Sequence, residues 1–279
     1  MERSIRTAGA LALVLLLATA CGGGGTSPDE LGLKTAGKLT VGSDIPYPPF
    51  EFNDESGKLV GFDVELVEAI AAKLGVEAEF VNAGFDTIFT ALDGGQFDIV
   101  ASSVTAYAPE GTSAFETVQE RREIVAFSEP YYPARQSLTV DTEASADIKT
   151  TDDLPDGAKV GVQRGTTGQG WAKDNIGDRV ELVTFPKAPQ MFEALEGGAL
   201  VGVVNDLSVA LESIAERPTL AVVEQIDTGE EYGLAVQQDN PALLEAINEA
   251  LKELFDDGTY ATLFKKYFPK EELPEYATE

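Results

Sequence analysis

Leu39-Thr40-Val41-Gly42-Ser43-Asp44-Ile45-Pro46-Tyr47-Pro48-Pro49-Phe50-Glu51-Phe52 decides the reading of this chain, and its first five residues form a short strand pattern. The next periodic segment, Phe62 to Leu74, places Phe62, Leu66, Ile70 and Leu74 on one helical face, with Gly75 as its stop. A strand at Val76 to Val81, a helix at Phe85 to Leu92 and a buried strand at Ile99 to Ala101 follow. Repeated β-α-β order predicts an α/β fold with parallel sheet. A second set of such units runs from Lys159-Val160-Gly161-Val162 through Val201-Gly202-Val203-Val204 to Leu220-Ala221-Val222-Val223. The polar, acidic stretch Asp141 to Asp156 lies between the sets and reads as a domain junction. Near the C-terminus, Leu243, Leu244, Ile247, Leu251, Leu254 and Phe255 recur at helical spacing, followed by the segment Thr259 to Phe268.

Composition narrows the function classes. The 279 residues carry a formal charge of −28, 43% are hydrophobic and 24% charged, which suits a folded protein of two ordinary domains. Phosphate affinity depends on clustered Lys and Arg, so this charge excludes nucleic acid as a partner. Zero histidines exclude Ser-His-Asp catalysis and His-ligated zinc, and one cysteine excludes an internal disulfide and Cys-rich metal sites. Carboxylate chemistry or binding remains, with no cofactor and no metal expected.

That cysteine has a place in the N-terminal pattern. Arg3 and Arg6 precede the apolar run Ala8 to Ala20, which is shorter than the roughly 20 residues of a spanning helix, and Cys21 follows Ala18-Thr19-Ala20. Residues 1–20 read as a signal peptide. The pattern resembles a bacterial lipoprotein box, which implies that Cys21 is lipidated and becomes the new N-terminus; Ala18 stands where such boxes usually carry Leu. Residues 21–37 then form the anchor and a Gly-rich flexible tether. The expected location is extracytoplasmic, on the cell membrane through the lipid alone.

Several segments carry a further resemblance. Leu39 to Phe52, Gly57 to Leu66, Phe97-Asp98-Ile99-Val100, Glu120 to Tyr132, Val160 to Thr167, Tyr232-Gly233-Leu234-Ala235-Val236 and Leu251 to Phe268 occur in an order similar to the extracellular solute-binding proteins for polar amino acids, family 3. The resemblance spans roughly residues 38–269. It implies a fold of the type II periplasmic binding protein kind, with two α/β lobes joined by two hinge strands and closing on an amino acid. On that template lobe 1 takes 38–134 and 232–279, and lobe 2 takes 135–231.

A free amino acid needs a bidentate cation for its carboxylate and a carboxylate for its ammonium, because burying an unpaired charge costs several kcal/mol. Arg121, six residues before Phe127, matches the family's carboxylate-binding arginine. Its planar guanidinium suits a carboxylate. A surface arginine is the plain alternative, and Arg122 takes the role if the register shifts by one. Asp206 matches the cleft aspartate for the ammonium at a strand's C-terminal end; the alternative is a cap on the helix from Leu207. Ser102, Ser103 and Thr105 match a strand end that contacts the ligand, and Gln163, Thr166 and Thr167 match a loop entering a helix N-terminus. Without the family, Gly165 to Gly168 would be plain turn. Tyr47 and Phe85 match aromatic walls.

Asp44 matches a position that reaches the ligand side chain, where a carboxylate accepts from amide, guanidinium or ammonium donors and repels acidic ones. Glutamine or a basic amino acid is favoured; Gln163 and Asn205 do not decide. The stretch Ala106 to Glu120 is longer than the family spacing and is either a cleft-rim excursion or a surface loop, since long insertions cost little entropy. The resulting expectation is a monomeric, non-enzymatic lipoprotein that delivers a polar amino acid to an ABC importer. A dehydratase-like periplasmic enzyme of the same fold, with a cleft carboxylate in acid or base work, and an amino-acid-sensing subunit are the alternatives.

Overall fold

The computed structural model describes residues 30–278; Cys21 and the leader pattern lie outside them. Strand β1 (Lys38–Ser43) is followed by the two-residue strands β2 (Phe52–Asn53) and β3 (Leu59–Val60), which form a small hairpin. Helix α1 (Phe62–Leu74) buries Phe62, Leu66 and Ile70, the face read from the sequence, and ends on Gly75 at φ 72, the left-handed cap that glycine adopts most readily. Gly61, just before α1, sits at φ 136 with the space for a Cβ filled by the Phe50 carbonyl oxygen 2.0 Å away.

The chain continues through β4 (Glu77–Asn82), α2 (Ile88–Asp93), β5 (Ile99–Val100), β6 (Thr105–Tyr107), α3 (Ser113–Arg122) and β7 (Val125–Phe127). The helix expected from Phe85 begins as a 3₁₀ turn over Phe85–Thr87 before α2. Next come β8 (Tyr132–Asp141), β9 (Lys159–Gln163), α4 (Thr167–Ile176), β10 (Glu181–Phe185), α5 (Ala188–Glu196), β11 (Gly202–Asp206), α6 (Leu207–Ser213) and β12 (Leu220–Tyr232). The last elements are β13 (Ala235–Gln237), α7 (Pro241–Asp256) and α8 (Thr259–Tyr267). Helix α7 buries Leu243, Ile247, Leu251 and Leu254, as its periodicity predicts. Among the described residues no helix is long and apolar enough to cross a membrane.

Two sheets organise these elements, one ordered β4-β1-β5-β13-β7 and the other β10-β9-β11-β8-β12-β6. β1 runs parallel to β4 and β5, and β9 runs parallel to β10 and β11, as the β-α-β pattern requires. The parallel expectation fails at Leu220 to Val223. These residues open β12, which pairs antiparallel with β8 because the chain is there returning toward the first sheet. The chain passes from the first sheet to the second between β7 and β8 and returns between β12 and β13. Tyr132 and Tyr232 pair in register on these two strands and stack at 5.4 Å, inside an aromatic cluster with Phe50, Phe62, Phe264 and Phe268. Rings that bury most of their area on one another make this crossing a packed joint rather than a loose linker.

An earlier contact also reaches the second sheet. The stretch Ala106 to Glu120 is neither bare rim nor loop: β6 pairs with Glu231 and Tyr232 of β12, and α3 follows. Thr112 caps α3 by accepting from the Phe115 amide, and Ala114, Val118 and Arg121 fall on its buried face. Gly170 of α4 faces Ser113 and Thr117 of α3 where these two helices pack.

Candidate functional site

The carboxyl ends of β1, β5, β9 and β11 converge between the two sheets, where an open α/β sheet places its ligands. There Asp44, Tyr47, Phe85, Ser102, Ser103, Thr105, Arg121, Gln163, Thr166, Thr167 and Asp206 line one cavity. The structure thus brings together all the residues singled out for a ligand role.

Arg121 comes from the last turn of α3 and is buried. Its Nη1 donates to the Thr105 carbonyl at 2.8 Å and its Nη2 to the Gly165 carbonyl at 3.2 Å, while Phe85 and Phe89 lie 5.4 and 5.0 Å from its guanidinium carbon. Burial lowers its pKa to about 10, with Glu230 and Asp206 opposing through space, so it remains cationic at neutral pH. Arg122 points elsewhere: it donates to the Ala106 carbonyl at 2.9 Å and covers the rings of Tyr107 and Phe127. The alternative register is therefore not the one that lines the cleft.

Asp206 ends β11 and occupies the position before α6, yet its side chain makes no capping bond. Its Oδ2 accepts from Tyr47 at 2.6 Å and Tyr232 at 2.7 Å, and its Oδ1 accepts from Gln136 Nε2 at 2.6 Å. The capping reading is corrected on that geometry: the carboxylate turns into the cleft, where hydroxyl and amide donors hold it. Desolvation raises its pKa to about 6; these donors pull it back, and the Glu230 charge pushes it up.

The small residues are held from behind. Ser102 Oγ donates to Glu51 Oε1 at 2.8 Å and accepts from the Asp44 amide at 2.9 Å. The Ser103 amide donates to Asp63 at 2.9 Å, which fixes this residue in its left-handed conformation, φ 50. Thr105 and Thr167 each donate a hydroxyl to Glu230 Oε2, at 2.7 and 2.6 Å. Thr166 caps α4 by accepting from the Gln169 amide and donates to the Gln163 carbonyl at 2.9 Å. Its hydroxyl is committed to the turn, and the first amides of α4 face outward as at any helix start.

Asp44 is flanked by donors from the second sheet's unit. Gln163 Nε2 reaches its Oδ2 at 2.7 Å, and Lys187 Nζ pairs with its Oδ1. Burial nevertheless raises the Asp44 pKa above its ordinary value, against the pull of Lys187 and Gln163.

These features meet a matching family. The model of the bacterial extracellular solute-binding proteins, family 3, matches residues 39–270. The chain belongs to that family. Among its relatives, the L-cystine-binding protein TcyJ of Escherichia coli strain K12 is 34% identical over 237 residues, covering 85% of this chain and 84% of the relative. A solved ancestral arginine-binding protein bound to arginine superposes with a TM-score of 0.76 at 40% identity, covering 83% of this chain and 98% of that one. An ancestral amino acid-binding protein, a precursor of cyclohexadienyl dehydratase, superposes at 0.73 with 36% identity, covering 83% and 96%. The fold is the type II periplasmic amino-acid-binding architecture of these family members.

Lys187, Glu230, Gln136 and Tyr232 hold the family-type cleft together and are not singled out by sequence reasoning. Lys187 stands between a strand and a helix of a βα unit, the kind of position that faces a cleft, and this is the one usable signal. Glu230 lies in the acidic run Glu230-Glu231, where composition alone describes a solvated surface.

Proposed function

We propose that this chain captures a free polar amino acid between its two units and delivers it to an ABC importer, with glutamine or a basic amino acid as the side-chain classes that Asp44 accepts. One observation carries the reading: a buried arginine and a partly buried aspartate face the same small cavity. They supply opposite charges for the two ends of a zwitterion. In this reading Arg121 grips the α-carboxylate with amides near Ser103 and Thr167, Asp206 receives the α-ammonium, and Tyr47 and Phe85 enclose the aliphatic part. The ligand's own charges then satisfy both side chains, which leaves no catalytic task to explain and favours a binder over an enzyme. The closing units are residues 38–134 with 232–279 against 135–231.

The N-terminal pattern supports export and attachment of a monomer to the membrane through lipidated Cys21, with the permease subunits as its protein partners. A thermal-shift screen of the common amino acids tests the central claim. A ligand at about 100 times its dissociation constant adds about 2.7 kcal/mol of stability, and a flat profile with every amino acid sinks the reading.

A further inference from the structure

Lys187 crosses the cleft from the residue before α5 and meets three oxygens of the opposite unit. Its Nζ pairs with Asp44 Oδ1 and lies 3.1 Å from the Ile45 carbonyl and 3.2 Å from Asn82 Oδ1. An ammonium has three protons, so this one is fully partnered. The other Asp44 oxygen accepts from Gln163 Nε2, which also donates to the Pro186 carbonyl at 3.3 Å. Both oxygens of a carboxylate that lines the cleft, 2% exposed, are thus engaged by the chain's own donors, and its charge is already balanced.

We propose that Lys187 is a specificity-determining residue: it holds the Asp44 carboxylate as an internal ion pair, so that this end of the cleft takes an uncharged polar side chain and disfavours arginine and lysine. The inference rests on the amino-acid reading above and narrows it. A cationic side chain arriving at Asp44 must either share the carboxylate with a second cation at close range or displace Lys187 from a partly buried pair. Either course removes compensation from a buried charge. A carboxamide meets no such conflict. Its NH₂ can use the remaining lone pairs of Asp44 without bringing a second cation against Lys187.

The test compares glutamine and arginine by calorimetric titration on the full chain, with wild type, Lys187→Met and Lys187→Arg. Wild type is expected to bind glutamine at least about tenfold tighter than arginine. Lys187→Met, which frees Asp44, should shift the ratio toward arginine by about tenfold or more, and Lys187→Arg should keep the wild-type order. A Lys187→Met/Asp44→Asn double variant should lose the gain for arginine. If Lys187→Met weakens both ligands equally, the residue is only a latch between the units and the proposal is overturned. Wild type that prefers arginine overturns it as well, even should Lys187→Met not fold. Absence of binding by any amino acid fails the functional reading itself, an outcome distinct from binding with the wrong order.

Discussion

Tyr47 donates its hydroxyl to Asp206 Oδ2 at 2.6 Å, joining residues 159 apart in sequence across the cleft, and it accepts from Asn205 Nδ2 at 3.1 Å. The bond ties the loop after β1 to the end of β11, so it both orients the carboxylate and links the two units. Tyr47→Phe keeps the aromatic wall and removes only the oxygen. A hydrogen bond to a charged group contributes about 1.5–3 kcal/mol, so the affinity for the amino acid should fall about 10- to 100-fold. Titration calorimetry on the variant checks this, and an unchanged affinity would detach the tyrosine from the site.

The parts legible in the sequence are those with strong local periodicity. Phe62, Leu66 and Ile70 announce α1, and the apolar strand of Val160 and Val162 announces β9, because burial on one face or on both imposes the spacing. Helix α3 escapes that test: Ala114, Val118 and Arg121 are its buried residues, and two small or branched positions and a cation do not make an apolar stripe. The direction of β12 escapes it too, since Leu220 to Val223 would look the same in a parallel or an antiparallel neighbour. Arg121, Asp206 and their companions are legible only through family resemblance. Lys187 and Glu230 act through partners more than 60 residues away, which no local pattern encodes.

Asp206 gives the site a pH dependence. Burial raises its pKa to about 6, so above that pH the cleft offers a carboxylate to an ammonium, and below it a neutral acid. Affinity should be near constant from pH 8 to 7 and fall about tenfold between pH 7 and 5, following a single protonation. The sign for stability is opposite. A carboxyl whose folded pKa lies above its unfolded value binds protons more tightly when folded, so the ligand-free protein should gain stability as pH falls through 6. Asp63, also raised to about 6 by burial, acts in the same direction. Melting curves with and without amino acid at pH 5 and 7.5 separate the two trends, and Asp206→Asn should flatten the affinity profile.

Gly61 sets the entry to α1 and the position of Phe50 in the aromatic joint. Its φ of 136 lies outside the range that side chains adopt readily, and a Cβ would stand 2.0 Å from the Phe50 carbonyl oxygen. Backbone cannot move aside as the end of a flexible side chain can. Gly61→Ala should therefore lose roughly 2–6 kcal/mol from strain and overpacking together, read as a lower urea midpoint with an unchanged slope. A loss below about 1 kcal/mol would mean that the joint yields more than its packing suggests.

Arg121 separates charge from geometry. Its guanidinium carbon lies 5.4 Å from the Phe85 ring and 5.0 Å from the Phe89 ring, and it spends two donors on the Thr105 and Gly165 carbonyls. Those two bonds hold β6 and the loop before α4 at one cation, so the fork is fixed before a ligand arrives and little rotamer freedom is lost on binding. Arg121→Ala removes the charge and the two charge-assisted bonds expected to a carboxylate, each worth about 1.5–3 kcal/mol, and should weaken binding by about 100-fold or more. Arg121→Lys retains the charge but neither the fork nor the flat surface against the two rings, and should fall between wild type and the alanine variant. Circular dichroism on both variants controls for folding, because the buried side chain also supports local backbone. Near-original affinity in Arg121→Ala would place the carboxylate elsewhere in the cleft, whereas a lysine variant as weak as the alanine one would show that bidentate geometry, rather than charge, selects the ligand.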